Sequence, residues 1–280
     1  MRIALVTEKN LLNGYTDTST LIDRLAAMGA NPELVVWDDP TVDWREFDLV
    51  YLHTPWDYIH KFETFLRWAM DVSAVSRLIN SLEVVRWNST KQYLVELGEQ
   101  GVPIPKTLIL PAGAPLHLGA NLGEVVVKPT VGAGGEDVYR FSSLHKALAD
   151  KRIQDIHASR DMLIQDFEPR VLVEGEYAVV FVGDQLTHAV LKTPGQGEFR
   201  IHDIYGGTIK PVELTRPMQE FCREVCKRLP YSPAYGRIDF IGRTNPILME
   251  VELIEPELFL VHSELGLNAV ANALVRHAAG

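Results

Sequence analysis

The chain has 280 residues, a formal net charge of −10 and two cysteines. This length accommodates about two domains with large apolar cores, and the acidic balance argues against nucleic acid as a partner. Cys222 and Cys226 are spaced as on a helix, with no second Cys/His pair to complete a zinc site, which favours reduced thiols in a cytoplasmic protein. The sequence shows neither a signal-peptide pattern nor an apolar run of about 20 residues, so no membrane partner is expected.

Strand and helix patterns alternate from the first residues onward and predict an α/β fold. Three short apolar runs predict parallel strands, at Ile3–Val6, Leu34–Trp37 and Leu49–Leu52. Ligands usually meet such a sheet at the loops that follow its strands. The loop after the third strand carries Trp56, Asp57 and Tyr58, which can recognise a polar zwitterion. The alternative is that Trp56 and Tyr58 only cap the sheet.

A helix is predicted to begin near Trp87, with Asn88 or Ser89 as its N-cap. Lys91 would then lie in the first turn, where a cation is unfavourable against the helix dipole unless an anion is close. This position indicates a phosphate contact, and the alternative is a solvated surface lysine.

A glycine-rich loop follows a short buried strand, Val125–Val127, and the lysine that ends it, Lys128. The glycines of the loop, Gly132, Gly134 and Gly135, allow backbone N–H groups to approach an anion closely. A P-loop is not indicated, because no Lys-Ser or Lys-Thr follows these glycines at the required spacing. A Rossmann fingerprint is not indicated either, because Glu136–Phe141 alternates like a strand rather than a helix. The pattern predicts a hairpin flap over a polyphosphate, and the alternative is an ordinary hairpin turn.

Farther along the chain, Ser142 or Ser143 is expected to cap a helix that runs to about Arg152, and Glu174–Gln185 is expected to form most of a hairpin. A second glycine-bearing loop then places Lys192, Arg200 and His202 within eleven residues and leads to Gly206 and Gly207. Three potential cations in an acidic protein indicate an anionic substrate. The alternative is a charged, mobile loop.

Three carboxylates occupy two strands that are predicted to be adjacent, Tyr235–Ile241 and Ile247–Leu253. Glu250 and Glu252 are two residues apart and so point to one face, which Asp239 can reach from the neighbouring strand. Carboxylates this close repel one another and need a cation, most simply Mg²⁺ held partly by substrate phosphates. The alternative is an exposed acidic face on an edge strand.

The order of these features resembles the ATP-grasp superfamily, in its branch of glutathione-synthetase-like and ribosomal-modification-ligase-like enzymes. The matching elements are Asn88-x-x-Lys91, Lys128 with its glycine loop, Gln165-Asp-Phe167, Lys192…Arg200…Gly206-Gly207, Asp239 and Glu250-Val-Glu252. Shorter motifs are similar to those of cyclo-ligases that close O-ureido-D-serine to D-cycloserine, namely Trp56-Asp57-Tyr58, Arg86-Trp-Asn88, Leu191–Pro194 and Ile254–Phe259.

The resemblance implies an N-terminal parallel-sheet domain (1–88), a central lid domain (89–165) and a C-terminal α+β domain (166–280) that enclose a nucleotide cleft. It implies ATP and Mg²⁺ as cofactors. Mg²⁺ would bind Asp239, Glu250 and Glu252, and the catalytic residues would be Lys192 and Arg200. The residues that would contact ATP are Lys91, Lys128, Gly132, Gly134, Gly135, Gln165, Asp166, Phe167 and either Glu174 or Glu176. Those that would contact the substrate are Trp56, Asp57, Tyr58, His202, Gly206, Gly207 and Glu255. The family often has Asn at the third metal position, whereas this chain has Glu252.

The implied reaction converts an amino-acid-like carboxylate to an acylphosphate, which a nitrogen nucleophile then attacks. The nucleophile is either part of the same molecule, as in the cyclo-ligases, or a second substrate, as in dipeptide and glutathione ligases. Other classes are a nucleotide-binding regulatory protein and, more remotely, a nicotinamide oxidoreductase. The intact set of lysines, arginine and three carboxylates favours the ligase, and association into a homodimer is left open.

Overall fold

The computed structural model describes residues 1–116 and 122–280, apart from the side chain of Asp203. The chain begins with a four-stranded sheet whose strands are all parallel, in the order β2-β1-β3-β4. The predicted β-α-β beginning is therefore confirmed. The elements of this region are β1 (Arg2–Thr7), α1 (Thr18–Ala27), β2 (Asn31–Val36), β3 (Leu49–Thr54), α2 (Phe62–Val75) and β4 (Leu78–Ile79).

Two short helices, α3 (Leu82–Asn88) and α4 (Tyr93–Glu99), connect this sheet to the rest of the chain. The prediction of Asn88 or Ser89 as an N-cap is wrong, because Asn88 ends α3 and its buried side chain bonds a distant strand instead. Its amide donates to the Val251 carbonyl at 2.8 Å and accepts from the Leu253 N–H at 2.7 Å. Lys91 likewise precedes α4 rather than lying in its first turn.

The second sheet is antiparallel in the order β5-β8-β6-β7. Its β6–β7 pair confirms the predicted hairpin with the glycine loop between the strands. The predicted helix to Arg152 is instead two helices, because Asp150 is extended and caps the second by accepting from the Arg152 N–H at 2.9 Å. The elements are β5 (Thr107–Leu110), β6 (Val125–Pro129), β7 (Tyr139–Phe141), α5 (Leu144–Ala149), α6 (Lys151–His157) and β8 (Met162–Asp166).

The third sheet is antiparallel in the order β11-β10-β9-β12-β13. The expected hairpin is confirmed by the antiparallel β9–β10 pair, but Glu174 ends a short helix, and the first strand of the hairpin begins only at Glu176. The elements are α7 (Val171–Glu174), β9 (Glu176–Val182), β10 (Gln185–Thr193), β11 (Thr208–Val212), α8 (Arg216–Lys227), β12 (Tyr235–Ile241) and β13 (Ile247–Glu252).

The last helix, α9 (Glu264–Ala279), joins the first and third sheets. Its Leu267 and Leu274 share one apolar core with Leu5 of β1 and Val180 of β9. Burying these side chains in a common core fixes the first sheet against the third. In the described part of the chain, no helix is long and apolar enough to cross a membrane.

Candidate active site

A cleft of about 730 Å³ is lined by residues of the second and third sheets and by loops that follow strands of the first sheet. Most of the predicted site residues line it, although they are far apart in the sequence. Three do not: Glu174 at the end of α7, and Gly206 and Gly207 in the loop before β11. Those that line the cleft are Trp56, Asp57, Tyr58, Lys91, Lys128, Gly132, Gly134, Gly135, Gln165, Asp166, Phe167, Glu176, Lys192, Arg200, His202, Asp239, Glu250, Glu252 and Glu255.

Glu250 is held by the two lysines that were predicted to contact phosphate. Lys128 Nζ lies 2.6 Å and Lys91 Nζ 3.1 Å from its carboxylate oxygens. Burial alone would raise the pKa of Glu250, but the charges of Lys128 and Lys91 hold this pKa well below its usual range. Burial likewise opposes the charge on Lys91, yet Glu250 and Glu252 hold the pKa of Lys91 above its ordinary value. Lys91 and Glu250 are therefore charged.

Asp239 lies opposite Glu250 in the β12–β13 register and has its own cations. Lys192 Nζ is 2.7 Å and Arg237 Nη2 2.8 Å from Asp239 Oδ2, and Lys192 also pairs with Glu176 at 2.8 Å. Burial acts to raise the pKa of Asp239, but Arg237 and Lys192 lower it. The result is a buried chain of alternating charges across β9, β10 and β12.

Arg237 is the main residue that sequence reasoning missed. It is buried, pairs with Asp239 and Glu252, and donates to the Glu257 carbonyl at 2.9 Å. A signal was available, since Arg237 is two residues from Asp239 on one strand and therefore shares its face.

Within residues 1–116 and 122–280, no group of three or more acidic, His or Cys side chains is arranged to hold a metal ion. The repulsion among Asp239, Glu250 and Glu252 that suggested Mg²⁺ is offset by lysines and Arg237 instead. The chemistry of the donors still fits Mg²⁺, which prefers carboxylate oxygens together with substrate phosphates.

The two glycine-bearing loops contact each other at Gly135. This residue has φ +73°, and a Cβ added to it would lie 2.9 Å from His202 Nδ1. The Tyr205 hydroxyl donates to the Gly135 carbonyl at 3.3 Å. Gly134 also has a positive φ, +59°, but open space around it. The flap thus contacts the second loop at Gly135. Glycine is required at this position because another residue would be strained at a positive φ and its Cβ would be too close to His202.

The second loop carries fewer charges than predicted, because burial and the nearby Lys192 lower the pKa of His202 to about 4. His202 is therefore neutral at neutral pH. Arg200 pairs with Glu198 at 2.6 Å and lies 3.5 Å from the centre of the Tyr205 ring. Among the described residues, Arg200 Nε and His202 Nδ1 are buried without a hydrogen-bond partner. Gly207 shapes this loop by donating its N–H to the His202 carbonyl at 3.1 Å.

Gln165, Asp166 and Phe167 lie at the cleft end of β8, where the chain leaves the second sheet. The Gln165 amide donates to Thr107 Oγ1 at 2.9 Å, so its side chain is fixed to β5. Phe167 is covered by the Arg140 guanidinium, 3.7 Å from the ring centre. These contacts give the segment a fixed apolar surface in the cleft.

Another part of the cleft lining is aromatic. Trp56 Nε1 donates to the Glu255 carbonyl at 3.0 Å, and the buried Tyr58 lies near the Glu255 side chain. Burial and the charge of Glu252 raise the pKa of Glu255 to about 8. Asp57 accepts from Trp37 Nε1 at 2.7 Å and lies 3.5 Å from Lys61 Nζ. Asp57 thus connects its loop to Trp37 and Lys61 and also lines the cleft.

Sequence comparison finds two family models on this chain. Residues 3–80 match the N-terminal domain of D-cycloserine synthetase DcsG, and residues 101–259 match the ATP-grasp domain of prokaryotic glutathione synthetase. The cycloserine biosynthesis protein DcsG of Streptomyces lavendulae is 31% identical over 297 residues, which cover 97% of each chain. A glutathione synthetase of Rhodopseudomonas palustris is 26% identical over 67% of this chain and 59% of its own length.

Structural comparison agrees. The crystal structure of D-cycloserine synthetase DcsG matches with a TM-score of 0.88 at 26% identity, over 99% of this chain and 100% of that one. D-alanine–D-alanine ligase from Bacillus anthracis, complexed with ATP, matches with a TM-score of 0.67 at 14% identity, over 100% and 97%. The predicted ATP-grasp fold is confirmed, and the chain belongs to the ATP-grasp family as an ADP-forming ligase.

Proposed function

We propose that this enzyme closes O-ureido-D-serine to D-cycloserine at the expense of ATP. The observation that carries the proposal is the similarity to DcsG over 97% of both chains, which includes the N-terminal region. That region contributes the aromatic side chains of Trp56 and Tyr58 to the lining of the cleft. The glutathione synthetases, in contrast, match only parts of this chain.

ATP is proposed to lie between the second and third sheets. Phe167 and the backbone near it would hold adenine, and the Gly132–Gly135 flap would cover the phosphates. Of the two candidate ribose contacts, Glu174 and Glu176, Glu176 is proposed because it lines the cleft. Lys91 and Lys128 would bind phosphate oxygens, and Arg200 would stabilise the phosphoryl group in transfer. Asp239, Glu250 and Glu252 are the proposed ligands of Mg²⁺, which when bound would offset charge on that group.

The proposed reaction has three steps. A carboxylate oxygen of the substrate attacks the γ-phosphorus of ATP, and ADP leaves. The substrate nitrogen that is bonded to oxygen then attacks the acyl carbon and loses its proton to the departing phosphate, and the five-membered ring closes. Because D-cycloserine has no carbamoyl group, water finally removes the carbamoyl from this nitrogen as carbamic acid.

The contribution of the protein to ring closure is largely positional. The nucleophile and the acyl carbon belong to one molecule, so its orientation in the cleft gives the nitrogen a high effective concentration. The flap, which rests on Tyr205, would exclude water from the acylphosphate until the ring has formed. The predicted cytoplasmic location suits an enzyme that consumes ATP.

A ligase with two separate substrates is the second candidate, because residues 101–259 match the ATP-grasp domain of glutathione synthetase. The two candidates are separated by incubating the enzyme with O-ureido-D-serine, ATP and Mg²⁺, with and without a panel of amino acids. We expect ADP, phosphate and the ring product, detected by mass spectrometry, without any added amine. Strict dependence on a second amino acid would reject the cyclisation, and formation of AMP and pyrophosphate would reject the acylphosphate route.

A further inference from the structure

The two sides of the glycine flap are bridged by a single side chain. Arg160 lies between α6 and β8, outside the flap in the sequence. Its Nη2 donates to the carbonyl of Val131, directly before Gly132–Gly135, at 2.8 Å. Its Nη1 donates to the Asp137 carboxylate, on the other side of the flap, at 2.9 Å. The guanidinium therefore joins the two sides of the loop that connects β6 to β7.

Asp137 has an unusual backbone conformation at this bridge. Its φ is +55°, and among the described residues other than glycine only Phe259 also has a positive φ. Aspartate adopts this left-handed conformation more readily than most residues. The second carboxylate oxygen of Asp137 accepts from the Tyr139 hydroxyl at 3.3 Å. Both oxygens are thus hydrogen-bonded, which fixes the point where the chain passes from the flap to β7.

The other side of the flap is fixed by backbone hydrogen bonds. The Thr130 N–H donates to the Asp161 carbonyl at 2.9 Å, and the Thr130 carbonyl accepts from the Lys91 N–H at 2.8 Å. Thr130 and Val131 are therefore bonded to two consecutive residues, Asp161 and Arg160. The segment directly before β8 thus holds the base of the flap.

The tip of the flap has weaker contacts than its base. The Tyr205 hydroxyl is 3.3 Å from the Gly135 carbonyl. His60 Nε2 is 3.5 Å from the Glu136 carboxylate, and these two side chains are 56% and 53% exposed. The two side chains of the ion pair at the base are only 34% and 25% exposed, and their contact is shorter. The geometry of the flap is therefore set mainly at its base.

A bridge of this kind has a direct effect on the binding of a polyphosphate. Glycine samples more backbone conformations than any other residue, so a free glycine loop loses much conformational entropy when a ligand orders it. Joining the sides of the loop restricts these conformations before the ligand arrives, and such preorganisation increases affinity. Arginine suits this role because its rigid fork bonds two acceptors at once, whereas lysine offers a single flexible ammonium.

We propose that Arg160 is a positioning residue for ATP. By bridging Val131 and Asp137, it holds the flap in the shape in which the backbone N–H groups of Gly132–Gly135 meet the outer phosphates. Arg160, Val131 and Asp137 are not among the described residues that line the cleft, so the effect is exerted through the flap. This inference rests on the part of the proposed function that places ATP beneath the flap.

The test measures nucleotide affinity by calorimetry with Mg²⁺, so that no turnover is needed. Arg160→Gln removes the bridge, and the non-hydrolysable ATP analogue AMPPNP should bind about tenfold more weakly than to wild type. AMP lacks the two outer phosphates, and its affinity should stay the same. The matched control is Lys151→Gln on α6, which removes the same charge from an exposed ion pair with Asp155 and should bind both nucleotides like wild type.

A second substitution tests whether Arg160 acts through Asp137. Asp137→Asn keeps the size of the side chain and its tolerance of a positive φ but removes the charge, so AMPPNP should again bind several-fold more weakly. The double variant should bind AMPPNP no more weakly than Arg160→Gln alone, because the bridge is already absent. Should Arg160→Gln not fold, Arg160→Lys, which keeps the charge without the fork, takes its place and should show the same selective loss.

Four results would overturn the inference. They are an unchanged AMPPNP affinity for Arg160→Gln, equal losses for AMP and AMPPNP, losses that multiply in the double variant, and a wild-type protein that does not prefer AMPPNP to AMP. Equal losses would assign Arg160 a purely structural role. Failure of the proposed function looks different, because wild-type enzyme would then bind AMPPNP but release no ADP with O-ureido-D-serine.

Discussion

Glu250 and Glu255 are five residues apart and line the same cleft, yet their environments give them opposite charge states at neutral pH. Glu250 is in contact with Lys91 and Lys128, and its pKa lies well below the usual range. Burial and the charge of Glu252 raise the pKa of Glu255 to about 8. Residue type alone therefore does not determine what a carboxyl in this cleft can do.

The contrast means that Glu250 and Glu255 can have different roles within one cleft. The ion pairs of Glu250 with Lys91 and Lys128 suit a region that binds phosphates and Mg²⁺, whereas Glu255 forms no ion pair with the described residues. A pair of carboxyls whose pKa values are pushed apart in this way is a common sign of different roles in a reaction. Two substitutions test the charged residues around Glu250, and a third tests the flap.

The largest effect is expected for Glu250→Gln. The substitution keeps the shape of the side chain but removes the charge that the two lysines and Mg²⁺ need, so kcat/KM should fall about a thousandfold, or about 4 kcal/mol. ADP release at saturating Mg²⁺ measures the effect. Glu220→Gln on α8, whose side chain is exposed and pairs with Arg216, is the matched control and should retain wild-type activity. Wild-type turnover by Glu250→Gln would remove Glu250 from the site.

A smaller effect, on folding stability, is expected for Arg237→Gln. The loss of this buried guanidinium leaves Glu252 without its cation and Asp239 with Lys192 alone. The free energy of unfolding should therefore fall by about 3 kcal/mol. Urea unfolding followed by circular dichroism measures this cost. The control Arg216→Gln breaks an exposed pair and should cost less than about 1 kcal/mol. Equal destabilisation by the two substitutions would show that the buried charges are not coupled.

The smallest effect is expected in the flap. Gly135→Ala meets both an unfavourable φ of +73° and a close contact with His202, so ATP affinity should fall about tenfold. Gly134→Ala meets only the backbone cost and should change ATP affinity less. Calorimetric titration with ATP separates the two. An equal loss for both variants would mean that the contact with His202 does not matter for closure.

The fold was largely predictable because its signals are local. The hairpin around the glycine loop follows from alternating residues on either side of it, and the shared face of Glu250 and Glu252 follows from strand geometry. The role of Asn88 was not predictable in this way, since its side chain bonds backbone groups more than 160 residues later. The neutral states of His202 and Glu255 also depend on burial among residues that are distant in sequence.

The bonds made by Asn88 have a consequence for how the molecule behaves in solution. β13 lies at an edge of the third sheet, where free backbone groups would attract the strands of other molecules. Asn88 occupies the Val251 carbonyl and the Leu253 N–H, the Tyr93 hydroxyl accepts from the Val251 N–H at 3.1 Å, and the Pro103 carbonyl accepts from Leu248 at 2.8 Å. The strand that carries Glu250 and Glu252 is thereby protected from edge-to-edge aggregation.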